Sequence, residues 1–130
     1  MKTTTTWKGA HTFQCEHEGN LIAVDGDKVS GHGPKALLLS GLAGCSGIDV
    51  VDILEKMRVG FSDFSMETAA EVTDEHPKVF TGVEITYRIK TDPENEDKVK
   101  KAIELSLEKY CGVAAMLKKN SAVNYKLVIL

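Results

Sequence analysis

At 130 residues, with 42% apolar and 27% charged side chains and a net charge of −3, the chain fits one globular domain, residues 1–130, long enough to bury a core. Its lysines and arginines are scattered, which excludes the clustered basic footprint of a nucleic-acid binder. Met1-Lys2-Thr3-Thr4-Thr5-Thr6-Trp7 lacks an apolar signal core and no run of about 18 apolar residues suggests a membrane span, so the chain is read as cytoplasmic, with no membrane partner.

Residues 3–17 and 20–25 are rich in Thr, Trp, Phe and Val, with turn chemistry at Glu18-Gly19-Asn20. They are expected to form an N-terminal antiparallel meander. The glycine-rich stretch Asp25-Gly26-Asp27-Lys28-Val29-Ser30-Gly31-His32-Gly33 reads as a loop, a flexible approach to a site. Its spacing is neither that of a P-loop nor that of a dinucleotide fingerprint.

Pro34 to Arg58 is predicted to be one long helix, since Pro suits the first helical position and Arg58 before Gly60 suits an end. Its first half has almost no polar face, the mark of a central, buried helix. Gly41, Gly44 and Gly47 each cost about 1 kcal/mol against Ala in a helix interior. With Ser40 they form a strip of small residues that lets another backbone approach closely.

Phe64, Met66, Thr68, Ala70 and Val72 alternate with polar or small neighbours, as do Val79 to Ile89 after the turn at Thr73 to Lys78. This predicts a long hairpin with one polar face. Asp92 as cap and Pro93 inside it open a second helix that reaches about Tyr110, with Val99, Ala102, Ile103 and Leu107 on its apolar stripe. Cys111-Gly112 interrupts the pattern before a short helical piece at 113–119, and Val123 to Ile129 alternates as a last strand. The fold class is therefore α+β: the meander, a long central Cys-bearing helix, and a second antiparallel sheet carrying a second helix. The apolar helix exceeds what one small sheet can cover, so a dimer is expected.

The chain has three cysteines, Cys15, Cys45 and Cys111, an odd number without a secretory signal. That argues against a structural disulfide framework, and any disulfide would be transient and chemical. Cys45 is either a small core hydrophobe or a reactive thiol. Reactivity would need a cation, and Lys28, His32, Lys35, Arg58 and Arg88 are the candidates. Lys35 lies about 15 Å away along the same helix, so it would act only by a bend or across a dimer. Cys111, near a helix N-terminus, is expected to have a lowered pKa. As a pair the two invite a scheme in which one thiolate attacks an O–O bond and the other resolves the sulfenic acid. Cys15 beside His17 is half a metal site at most, and no second Cys/His pair at ligand spacing follows, so no metal is expected.

The motif Pro34-Lys35-Ala36-Leu37-Leu38-Leu39-Ser40-Gly41-Leu42-Ala43-Gly44-Cys45, continuing to Asp49-Val50-Val51 and Leu54-Lys56-Arg58, resembles the first cysteine motif of the OsmC/Ohr family, the osmotically inducible and organic hydroperoxide resistance proteins. Tyr110-Cys111-Gly112-Val113 with Ala115-Met116-Leu117 is similar to its second motif. The resemblance implies an intertwined homodimer with the cysteine helices packed centrally. It also implies a cofactor-free, thiol-dependent peroxidase of small apolar organic hydroperoxides, with Cys45 peroxidatic and Cys111 resolving, recycled by an unidentified thiol reductant as part of an oxidative stress response. Lys35 stands where family peroxidases carry a glutamate that holds a thiolate-stabilising arginine, and no arginine precedes Arg58. The cation would then be Lys28, His32, Lys35 or Arg88, and the chain looks closest to the uncharacterised OsmC-like branch. The alternative is a non-catalytic OsmC-like dimer that binds a small apolar ligand.

Overall fold

The computed structural model describes residues 1–130. It separates into two compact units, Met1–Leu38 and Leu39–Leu130.

In the first unit, β1 (Thr4–Gly9), β2 (Thr12–His17) and β3 (Asn20–Asp25) form an antiparallel meander in the order β1-β2-β3. The stretch 3–17 holds the first two strands of the expected meander, parted where Gly9 (φ 115°) and Ala10 (φ 46°) turn the chain. Gly9 is the local cause, since it adopts that conformation without the Cβ penalty. Trp7 Nε1 donates to the Ala10 carbonyl at 2.9 Å and secures the turn.

The loop after β3 is organised around a single carboxylate rather than being a loose approach. Buried Asp25 accepts from the amides of Asp27 (2.8 Å), Val29 (3.2 Å) and Ser30 (3.0 Å) and from the Ser30 hydroxyl (3.0 Å). The Ser30 amide first, then that of Asp27, pulls its carboxyl down to about 2.

The second unit holds a sheet in the order β4-β5-β6, made of β4 (Phe61–Val72), β5 (Phe80–Thr91) and β6 (Val123–Ile129). β4 and β5 form the expected antiparallel hairpin, with Met66 opposite Tyr87 and Thr68 opposite Ile85. The sheet is mixed, not wholly antiparallel: β6 runs parallel to β5, Val83 opposite Val123 through Ile89 opposite Ile129. The reason is the helical crossover between them, which returns the chain to the end at which β5 began, as a parallel pairing requires.

That crossover starts at Asp92, whose carboxylate accepts from the Glu94 amide, and a 3₁₀ turn over Pro93–Asn95 leads into α2 (Glu96–Leu105). α2 widens into a π turn over Ser106–Tyr110, and α3 (Gly112–Lys118) follows.

The long helix α1 spans Pro34–Lys56. Its Leu42, Val50 and Leu54 share one core with Val83, Ile85, Tyr87 and Ile89 of β5 and Val99, Ala102 and Ile103 of α2. By length and composition α1 could cross a membrane, contrary to the sequence expectation, but this buried face makes it the core helix of the second unit. Its other face is open: Leu38 and Ile48 are exposed, so the chain alone does not bury the helix as its composition predicts. The far face of the sheet is polar, carrying Glu67, Thr86, Arg88 and Lys126.

Candidate functional site

Two stretches far apart in sequence build the site. On α1, Cys45 and Ser46 are neighbours and Asp49 follows Cys45 by one turn, so the thiol and the carboxylate stand on the same side of the helix. Cys45 is half-buried.

The partner thiol arrives through the π turn. The amide of Cys111 donates to the carbonyl of Ser106, five residues back, at 2.7 Å. An α-helix would have closed this bond one residue earlier, so the extra residue fixes which way Cys111 and Ser106 face. Lys118 steadies the same turn, its Nζ donating to the Leu107 carbonyl at 2.6 Å and to Glu108 Oε1 at 3.2 Å. Cys111 then caps α3, its Sγ accepting from the Ala114 amide at 3.3 Å.

Cys111 is buried and free, and Cys45 is its side-chain neighbour. The structure thus brings together the two cysteines that the sequence pairs. The expected lowering of the Cys111 pKa is reversed: burial pushes the thiol up to about 11, Cys45 and the charge of Asp49 add to the rise, and the Ala114 amide opposes it. A seven-residue helix offers one amide to the sulfur, and that is less than what desolvation costs the thiolate.

Behind the thiols runs a buried chain of hydroxyls that the sequence reading does not anticipate. Tyr87 OH lies 2.6 Å from Ser46 Oγ, Ser46 Oγ lies 2.9 Å from Ser106 Oγ, and Ser106 Oγ lies 2.9 Å from Asp49 Oδ2. A hydroxyl has one proton and a carboxylate only accepts. Ser106 is thus the donor at the centre, its one proton shared between Asp49 Oδ2 and the Oγ and carbonyl (3.4 Å) of Ser46, while Tyr87 and Ser46 share the last bond. Burial, chiefly, pushes Tyr87 up to about 12, so it stays protonated. The available signals were Ser46 on the apolar helix and Tyr87 at an inward strand position, polar atoms that a core must pair.

The four candidate cations sit as follows. Lys28, His32 and Lys35 are exposed in the first unit, with Lys35 in the first turn of α1. Arg88 follows Tyr87 in β5 and so lies on the opposite face of the sheet from the tyrosine that reaches Ser46. The structure does not bring Arg88 to the thiols. Cys15 lies in β2 and accepts from Thr5 Oγ1 at 3.6 Å, while His17 Nδ1 bonds the Lys2 carbonyl at 2.8 Å. No group of three or more His, Cys, Asp or Glu side chains is placed to hold a metal ion.

Beside the thiol helix lies a mainly apolar groove of about 370 Å³, lined by Gly44, Gly47, Ile48, Val51, Phe64 and Met66 with one carboxylate, Asp52. The three glycines of α1 have different surroundings. A Cβ at Gly47 would stand 2.6 Å from Met66 Cε, whereas one at Gly41 or Gly44 would meet nothing within 4 Å. Gly47 therefore makes room for a β4 side chain, and the other two face open space.

The chain is similar to known proteins in sequence and in fold. A family model described as OsmC-like protein matches residues 25–126. Protein YhfA of Escherichia coli K12 is 36% identical over 128 residues, covering 95% of this chain and 92% of YhfA. An OsmC-like protein of Mycoplasma pneumoniae superimposes with a TM-score of 0.87 at 17% identity, covering 99% of this chain and 96% of that one. An organic hydroperoxide resistance protein OsmC of Legionella pneumophila superimposes at 0.72 and 18% identity, covering 99% and 98%. The fold is theirs, and the family match with the YhfA identity establishes that this chain belongs to the OsmC-like protein family.

Proposed function

We propose that the protein is a cytoplasmic, homodimeric, thiol-dependent peroxidase of small apolar organic hydroperoxides. The observation that carries this reading is the juxtaposition of two free thiols, Cys45 and Cys111, from elements distant in sequence. The name of the Legionella relative supports the substrate class. In the first step the Cys45 thiolate attacks the hydroperoxide, the O–O bond breaks, the alcohol leaves and Cys45 becomes a sulfenic acid. In the second, Cys111 displaces the hydroxyl as water and a disulfide forms. An external dithiol reduces it and closes the cycle. The thiolate calls for a cation, for which Lys28, His32 and Lys35 are the candidates, and the open Gly41 and Gly44 form the contact strip between subunits. The chemistry calls for no metal or organic cofactor.

The test is a single turnover. Reduced protein mixed with stoichiometric cumene hydroperoxide should lose both thiols to one intramolecular disulfide, seen by intact mass and peptide mapping, and a Cys45→Ser variant should not react. An unmodified Cys45, under conditions where a control thiol peroxidase is consumed, sinks the reading.

Lys35 in the place of the family glutamate favours a second reading, a dimer that only binds a small apolar ligand. The alkylation rate of Cys45 against pH separates the two: a midpoint near the free thiol's ~8.5 supports binding alone, and one well below it supports chemistry.

A further inference from the structure

Ser106 is fastened to both cysteine-bearing stretches at once. Its carbonyl accepts the Cys111 amide at 2.7 Å, and its hydroxyl reaches α1, lying 2.9 Å from Ser46 Oγ, 3.4 Å from the Ser46 carbonyl and 2.9 Å from Asp49 Oδ2. Ser46 follows Cys45 directly in the chain, so two hydrogen bonds, both closed on Ser106, join the neighbourhood of one cysteine to the backbone of the other. Ser46 and Ser106 are fully buried, and solvent has no access to compete for these bonds. The Cys111 side chain has a hold of its own, Sγ accepting from the Ala114 amide at 3.3 Å. Its approach to Cys45 is therefore set by where the π turn sits on α1.

We propose that Ser106, acting with Ser46, is a positioning residue that sets the strength of the Cys45–Cys111 disulfide, by locking the π turn to α1 in the register in which the two cysteines meet. The inference rests on the pairing of Cys45 with Cys111 in the proposed function. A disulfide tolerates little error, with Cα atoms ~4.4–6.8 Å apart and one narrow range of dihedral, so a slide of the π turn along α1 weakens it. Its strength is the effective concentration of one thiol at the other, which rises as the two are held in the attacking geometry. Against glutathione disulfide the exchange balances as follows. One cysteine sulfur attacks the glutathione S–S bond and releases the first glutathione thiolate. The other cysteine sulfur attacks the mixed disulfide and releases the second. The two protons lost by the cysteines end on the two glutathione thiols, and two electrons pass from the protein to glutathione.

Packing alone does not call for these hydroxyls. Two alanines would fill nearly the same space with better helix propensity, and exchanging both members of a buried hydrogen-bonded pair for apolar groups of like shape is close to neutral in stability. Apolar contact is non-directional and lets packed helical segments slide, whereas a hydrogen bond of 2.9 Å holds in one register. The five-residue bond of the π turn then carries that register to Cys111, because the Ser106 carbonyl and hydroxyl belong to one residue. Lys118, donating to the Leu107 carbonyl at 2.6 Å, holds the next residue of the same turn.

The test uses no peroxide. In a Cys15→Ser background, each protein is equilibrated without oxygen in mixtures of reduced and oxidised glutathione, and the fraction carrying the Cys45–Cys111 disulfide is read by alkylation and intact mass. Ser106→Ala should lower the effective concentration fivefold or more, a potential about 20 mV less negative, since tenfold is ~30 mV for a two-electron couple. Ser46→Ala, which leaves Ser106 on Asp49, should shift it the same way by about two- to fivefold. Tyr87→Phe is the structural control. It cuts the hydroxyl chain beyond Ser46 and should leave the equilibrium within twofold of the parent, because a stability loss shared by the oxidised and reduced folds does not move the balance between them. A Ser106→Ala shift below fivefold, or toward a stronger disulfide, overturns the proposal. So does a Tyr87→Phe shift as large as that of Ser106→Ala, or a parent that forms no Cys45–Cys111 disulfide. The expected shifts in a protein that ignores hydroperoxide would remove the peroxidase reading and leave this one standing.

Discussion

The amide of Cys111 closes its hydrogen bond on Ser106, five residues back, at 2.7 Å, and through that one π-type bond the resolving thiol and the serine that fixes Asp49 are set by the same turn of chain. The extra residue of the π turn is thus a positioning device.

The hydroxyl chain is also a stability element. Ser46→Ala leaves the Tyr87 hydroxyl unpaired in a buried place, at about 1–3 kcal/mol, offset by about half a kcal/mol from the better helix propensity of Ala. Tyr87→Phe removes the terminal hydroxyl but leaves Ser46 paired with Ser106, and should cost about 1 kcal/mol. Urea midpoints should therefore fall in the order parent, Tyr87→Phe, Ser46→Ala. The reverse order would mean that Ser46 is not the link.

Most of the architecture is legible in the residues because it rests on local signals. Pro34 and Asp92-Pro93 start the helices where the chemistry of caps puts them, and the alternation from Phe64 to Ile89 gives the hairpin. The thiol pair is legible through its two motifs. What is not legible depends on long-range partners. The parallel pairing of β6 follows from the crossover and not from any property of Val123 to Ile129. The reversed shift of Cys111 follows from burial, which cap chemistry alone does not reveal. Ser46, Tyr87 and Ser106 look unremarkable one by one, since their meaning lies in contacts 41 and 60 residues apart. The alternation that places Tyr87 on the core face sends Arg88 to the other, but only the structure says which face holds the thiols.

The pH dependence of stability should show the buried thiol. An acid whose folded pKa is raised stays protonated in the fold while the unfolded chain ionises, so its stability contribution is full below the unfolded value and is lost as pH rises through the folded one. For Cys111 this window runs from 9.0 to about 11. Tyr87 and Tyr125, both raised from 10.0 to about 12 chiefly by burial, extend the loss further. Urea midpoints should decline from about pH 9 upward, and Cys111→Ser should lose less between pH 9 and 10.5 than the parent. Equal slopes would mean that the thiol ionises freely in the fold.

The carboxylate that organises the loop after β3 makes the opposite prediction. Asp25, depressed from 3.8 to about 2 by the Ser30 amide first, keeps its loop contacts above the unfolded value and loses them as pH falls through the folded one. The amide resonances of Asp27 and Ser30 should titrate together with a midpoint near 2, and in Asp25→Ala both should lose that titration. A midpoint near 3.8 would mean that the four hydrogen bonds to Asp25 do not favour its charged form.

The glycines of α1 separate packing within the chain from packing between chains. At Gly44 an added side chain meets nothing in the chain itself, so Gly44→Leu should leave the protomer folded, and in isolation even favour the helix by a fraction of a kcal/mol to about 1 kcal/mol. If Gly41 and Gly44 are where a second subunit's helix approaches, the same leucine holds the two backbones apart, and association fails while far-UV circular dichroism is kept. Gly47→Ala is the internal control. Its Cβ presses on Met66 Cε, the far end of a flexible side chain in the same subunit, so it should shift stability by about 1 kcal/mol or less without changing association. Sedimentation equilibrium on the two variants distinguishes the effects: a dimeric, well-folded Gly44→Leu would show that the open strip is not the contact between subunits.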